Sequence, residues 1–185
     1  MRIAIFGGSF DPLHLAHVAI VQNALNKLDI DKLIVVPTYL NPFKSSFYLD
    51  PQTRFELLKK VFIKFERVEV SNYEINQLAP SYSINTVNYL KDLYNPSKIY
   101  LIIGEDNMEN LDKWYKYNEL KELVEFVVAS RIGFKSKKAN EFKSLDINID
   151  ISSTQLRNSM NLAYIPIEIK DDILNLKREG KVFEY

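Results

Sequence analysis

Apolar residues change their spacing several times along the chain, and each change marks an element. Arg2 to Phe6 is a short apolar run entering Gly7-Gly8, and from Leu13 to Leu28 the spacing turns helical through Leu15, Val18, Ala19, Val21, Ala24, Leu25 and Leu28. That reads as strand, tight turn, helix. Lys32 to Pro37 predicts a second strand, being rich in β-branched residues, and Tyr39 to Asp50 a polar loop around Pro42. A helix follows from about Pro51, with Asp50 as its N-cap and proline at the first helical position.

Arg67 to Val70 predicts a third strand, and Ser83 to Tyr94 a third helix with Ile84, Val87, Leu90 and Leu93 on one stripe. Ile99 to Ile103 is continuously apolar up to Gly104, as in a strand buried on both faces of a parallel sheet. Helical segments near Asn107 to Leu123 lead to the run Phe126 to Ala129, a loop from Arg131 to Lys138, and a last short strand from Ile147 to Ile151. Closing helices start at Ser153 and near Pro166, the second ending at Arg178 with Gly180 as its cap. The alternation predicts an α/β fold: a doubly wound parallel sheet with helices on both faces and a C-terminal helical part over 153–185. Ligands bind such sheets at the C-terminal ends of the strands. No repeat, low-complexity tract or linker divides residues 1–185, so one domain is expected.

Composition narrows the chemistry. The absence of cysteine removes disulfides, thiolate metal sites and cysteine nucleophiles, and it fits a reducing, cytoplasmic setting. No segment has the ~18 apolar residues of a membrane span, and the opening residues lack a signal-peptide pattern. Lys and Arg number 24 against 24 Asp and Glu, which argues against a long polyanion as partner but leaves a small phosphorylated ligand open. Only 6 of the 24 cations are Arg, so each Arg is more informative than usual.

Two clusters could carry chemistry. After the first strand comes GGSFDPLHLAH, where glycines let a ligand approach the backbone and a helix start offers N–H groups to phosphate. His14 and His17, the only histidines, are spaced i, i+3 on its first turn. Solvated or core-edge histidines are the ordinary alternative, and metal ligation would need a carboxylate to complete it. Phosphate contact is the favoured reading. The second cluster is ISSTQLR, where Ser152, Ser153, Thr154 and Arg157 could cradle an anion, although helix capping would account for one or two hydroxyls. Neither a G-x-G-x-x-G nor a P-loop motif is present.

Together GGSFDPLHLAH and ISSTQLR resemble the nucleotidyltransferases of the HxGH type, and within them the bacterial nicotinate-nucleotide adenylyltransferases, over nearly the whole chain. Supporting pieces are Pro37 with Asn41-Pro42-Phe43-Lys44, the run Ser81 to Thr86, Gly104-Glu105-Asp106 with Trp114 downstream, Arg131-Ile132-Gly133 and the Pro166 helix. Ala16 stands where the family has Gly, Ser83 for Thr, Asn85 for Asp and Ile132 for Pro.

The resemblance implies a Rossmann-like nucleotidyltransferase domain that transfers AMP from ATP to nicotinate mononucleotide, giving deamido-NAD and pyrophosphate with Mg²⁺ assisting. The acceptor phosphate would attack the α-phosphorus while the protein supplies position and charge. It implies catalytic roles for His14, His17, Lys44 and Arg157, with His17 nearest the transferred group. Ile151, Ser152, Ser153, Thr154 and Arg157 would hold the departing pyrophosphate, and Gly7, Gly8, Ser9 and Phe10 would let both nucleotides cross the sheet. Gly104 and Asp106 would lie at the ribose or metal-bound water, and Thr86, Trp114 and Tyr115 at the pyridine ring, with Lys44 and Arg131 near phosphate. Ordinary alternatives are a solvated Lys44, an N-cap Asp106, a packing Trp114 and a solvated loop for Lys135, Lys137 and Lys138. Rival functions are adenylyl transfer to nicotinamide mononucleotide or another phosphorylated acceptor, and a noncatalytic nucleotide-binding module. No resident metal site, nucleic acid or membrane partner is expected.

Overall fold

The computed structural model describes residues 1–42, 44–131, 142–159 and 161–180. Six parallel strands form one sheet in the order β3-β2-β1-β4-β5-β6, namely β1 (Arg2–Gly8), β2 (Lys32–Pro37), β3 (Val68–Val70), β4 (Lys98–Gly104), β5 (Glu125–Arg131) and β6 (Lys143–Ile147). The order reverses between β1 and β4, so a crevice opens where their C-terminal ends, Gly8 and Gly104, diverge.

Alternation within each strand decides which layer it feeds. Ala4, Phe6, Leu33, Val35, Tyr100 and Ile102 face α1 (Leu15–Lys27), α2 (Pro51–Phe62) and the C-terminal helices. Ile3, Ile5, Ile34, Val36, Leu101 and Ile103 face α4 (Ser83–Tyr94) and α5 (Tyr117–Leu123). Both faces are thus covered, which is why these strands read as unbroken apolar runs.

The structure departs from the sequence reading in several places. A short helix, α3 (Tyr73–Asn76), precedes α4, and Leu93 at the end of the predicted stripe is 56% exposed, because steps of three residues drift round a helix and leave it about half a turn from Ile84. The segment after β4 winds as a 3-10 helix over Glu105–Lys113 before α5 begins. The last strand is Lys143–Ile147 rather than Ile147 to Ile151, its register running along β5 from Val127 opposite Lys143 to Arg131 opposite Ile147. The closing part is α6 (Ser153–Ser159), two short 3-10 turns and α7 (Lys170–Arg178), with Gly180 just beyond in a left-handed conformation (φ 66°).

Asp50 caps α2, accepting from the Thr53 N–H at 3.0 Å, with Pro51 in the first turn. Among the described residues no helix is long and apolar enough to cross a membrane.

Candidate nucleotide site at the strand ends

His14 is the residue before α1 rather than part of its first turn, with extended backbone (φ −143°, ψ 170°), and it is 2% exposed. Its N–H donates to His17 Nδ1 at 3.3 Å, and the two imidazoles stack with centroids 3.7 Å apart. Because Nδ1 of His17 accepts, a neutral ring carries its proton on Nε2, at the opposite end. Phe10 packs edge-on against His17 (4.9 Å) and Phe6 (5.3 Å) from a left-handed backbone (φ 48°). At 2% exposure its ring lies packed behind the histidine. Gly8 makes room for that ring: a Cβ there would lie 3.2 Å from it.

The second cluster reaches the first through direct bonds. Ser153 donates its hydroxyl to the Pro12 carbonyl at 3.0 Å, and Arg157 donates Nη1 to the Asp11 carbonyl at 2.6 Å and Nη2 to Thr154 Oγ1 at 3.0 Å. The Arg157 guanidinium also lies over the Tyr48 ring, 5.6 Å from its centroid. Ser152 and Gln155 form a reciprocal cap: the Gln155 N–H donates to Ser152 Oγ, and the Ser152 N–H to Gln155 Oε1. Ser152 therefore keeps its own O–H to give, while the proton of Ser153 is already committed. Of the residues expected to cradle an anion, Ile151 is buried at 4% exposure.

Lys44 sits in the loop between β2 and α2, its N–H bonded to the Asn41 carbonyl at 2.9 Å. Desolvation, above all, holds its pKa below the usual lysine value; Asp11 opposes this, and the nearby Arg157 and Arg54 add to it. Lys44, Arg157 and the buried Arg54 thus share this corner with the Asp11 carboxylate.

Beside the α1 start lies a cavity of about 120 Å³ lined by Ala16, Ile20, Gly104, Glu105, Asp106, Ala129 and Ile147. Its walls are apolar and its carboxylates come from the turn after β4. Ala16, in place of the family glycine, contributes its methyl to the wall. Asp106 is exposed and is a hard oxygen donor of the kind a hydrated divalent cation takes. Among the described residues no group of three metal-type side chains converges.

The predicted pyridine pocket is only partly assembled from the expected side chains. Trp114 is half-buried against the second core layer, whereas Tyr115 is 51% exposed and packs on Tyr82 with centroids 4.7 Å apart. Thr86 is 3% exposed and its hydroxyl donates inward to Glu74. Arg131 ends β5, but its side chain and residues 132–141, including Ile132, Gly133, Lys135, Lys137 and Lys138, lie outside the described residues, as does Phe43.

Sequence reasoning passed over Asp11, Arg54, Glu74 and Tyr82. Arg54 carried a readable signal, a charge three, four and seven residues before Leu57, Leu58 and Val61 on the buried stripe of α2. Glu74 and Asp11 carried none, since their partners lie in other segments.

Comparison with known proteins bears on the family and the fold. A family pattern described as cytidylyltransferase-like matches residues 5–159. A probable nicotinate-nucleotide adenylyltransferase of Aliarcobacter butzleri is 68% identical, with 98% of this chain and 100% of that protein covered. One from a Nitratiruptor species is 48% identical, covering 96% and 99%. The Plasmodium falciparum nicotinic acid mononucleotide adenylyltransferase complexed with NaAD superposes with a TM-score of 0.78 over 99% of both chains at 21% identity, a likeness of fold.

Proposed function

The chain belongs to the cytidylyltransferase-like family, and from that premise we propose that it transfers AMP from ATP to nicotinate mononucleotide, giving deamido-NAD and pyrophosphate in NAD biosynthesis. It is a nicotinate-nucleotide adenylyltransferase, as are its nearly full-length relatives by name. The observation that supports the mechanism is the bonding of the two motif clusters, Ser153 to Pro12 and Arg157 to Asp11, which joins the start of α6 to the turn before α1.

The residues divide the work by chemistry. Nε2–H of His17 and the positive end of the α1 dipole meet the α-phosphoryl, where charge accumulates as the acceptor phosphate attacks. Arg157, with Ser152 and Thr154, holds the leaving pyrophosphate, and Lys44 neutralises charge from the loop side. The apolar cavity takes the adenine, with Gly104 permitting close approach and Asp106 facing the ribose or a hydrated ion. A divalent cation such as Mg²⁺, if brought by the triphosphate, would screen its charge, and Asp106 is the carboxylate that would meet its water shell. Ser9 and Gly8 line the mononucleotide path toward the exposed faces of Tyr115 and Trp114, and Arg131 serves its phosphate. Residues 1–185 act as one nucleotidyltransferase domain in the cytoplasm, on small-molecule substrates.

Incubation with ATP and Mg²⁺, offering nicotinate mononucleotide and its amide in parallel, is expected to yield deamido-NAD with pyrophosphate release and a clear preference for the acid. Dinucleotide from the amide alone, or no pyrophosphate with either, contradicts the reading. Arg157→Lys is expected to lower kcat/KM for ATP by about 10-fold, the scale of one charge-assisted hydrogen bond, because an ammonium cannot bond the Asp11 carbonyl, Thr154 and a phosphate in one plane. Unchanged kinetics for ATP would remove Arg157 from the site.

A further inference from the structure

The loop that carries Lys44 is fastened from beneath by a single side chain. Arg54, on α2, is 2% exposed, and its hydrogen bonds go to main-chain carbonyls: Nε to Leu49 (3.0 Å), Nη1 to Ser9 (2.6 Å) and Thr38 (2.8 Å), Nη2 to Tyr39 (2.8 Å). Thr38 and Tyr39 begin the loop and Leu49 ends it, so one guanidinium closes both ends and ties them to the glycine turn at Ser9. From the opposite side the carboxylate of Asp11, 4% exposed, accepts the N–H groups of Tyr48 and Leu49, each at 2.7 Å. Between these anchors the chain turns at Asn41 and presents Lys44.

A buried guanidinium is a poor way to gain stability, because its desolvation cancels most of what its bonds return, and apolar replacements of buried charges are often as stable. What it does provide is fixed geometry: four acceptors from three chain segments held in one plane. Those segments are the end of β1, the end of β2 and the Lys44 loop.

We propose that Arg54 is a positioning residue for adenylyl transfer, holding the 39–50 loop with Asp11 so that Lys44 stays at the phosphate crevice. This rests on the role given to Lys44 above. Arg54 acts through Lys44 and touches no substrate.

The test is a double-mutant cycle on kcat with Lys44→Ala, Arg54→Lys and the double variant, each checked by thermal melting. Lys44→Ala is expected to lower kcat by about 10-fold, one charge-assisted bond, and Arg54→Lys by a similar factor, since misplacement by about 1 Å suffices. In the double variant the Arg54 change is expected to cost nothing beyond Lys44→Ala. A merely structural Arg54 would cost the same factor in both backgrounds, and that result, or full activity of Arg54→Lys alone, overturns the inference while leaving Lys44 in place. Full activity of Lys44→Ala overturns the role of Lys44 and the inference with it. Should Arg54→Lys not fold, Asp11→Asn carries the same cycle, because it loosens the loop at Tyr48 and Leu49 and leaves Arg54 intact; additivity there is equally fatal.

Discussion

His17→Ala is expected to fold as the parent does and to turn over about 10²- to 10³-fold more slowly, the cost of losing one preorganised donor aimed at developing charge. The fold tolerates the change for a local reason. His17 is half-exposed, its side-chain bond from the His14 N–H is long at 3.3 Å, and its ring stacks on His14 and meets Phe10 edge-on. The effect belongs in kcat more than in the KM for ATP, because Arg157, Ser152 and Thr154 still hold the β,γ end. A folded His17→Ala enzyme with near-normal kcat would take the imidazole out of the reaction.

The legibility of this site in the sequence follows from how local each signal is. Strands buried on two faces announce themselves as apolar runs, and the bounds of β2 and α4 fall where the pattern placed them. Both motif clusters sit at strand-to-helix junctions, where glycine, proline and hydroxyl residues are local signals too. The β6 error shows the limit: Leu145, Ile147, Ile149 and Ile151 alternate without a break, so period alone cannot say where pairing stops, and it is β5 that decides. The same holds for the polar groups that organise the crevice. Arg54 is buried because carbonyls of Ser9, Thr38 and Tyr39 converge on it, and Thr86 turns inward because Glu74 needs a donor. Neither partnership exists until the sheet has formed.

Glu74 supplies the second large effect, on stability. It lies on α3, 4% exposed, with Oε1 accepting from Thr86 and Oε2 without a hydrogen-bond partner. Burial raises its pKa from 4.5 to about 7, against the opposing pull of the Thr86 bond. In the pH range between those values the folded chain holds a proton that the unfolded chain has released. Stability from this group is therefore complete below about 4.5, falls as pH rises to about 7, and stays low above it, a difference of about 3 kcal/mol. Glu74→Gln keeps the shape and the neutral form at every pH. Its melting temperature is expected to match the parent at pH 5 and to exceed it at pH 8, where the parent must keep an ionised carboxylate out of water. The sign also separates two accounts of the residue: if Glu74 were held ionised by a cation the difference would reverse, with the glutamine protein the weaker one at pH 8. Parallel stability curves for the two proteins from pH 5 to pH 8 would show that Glu74 does not titrate in this window.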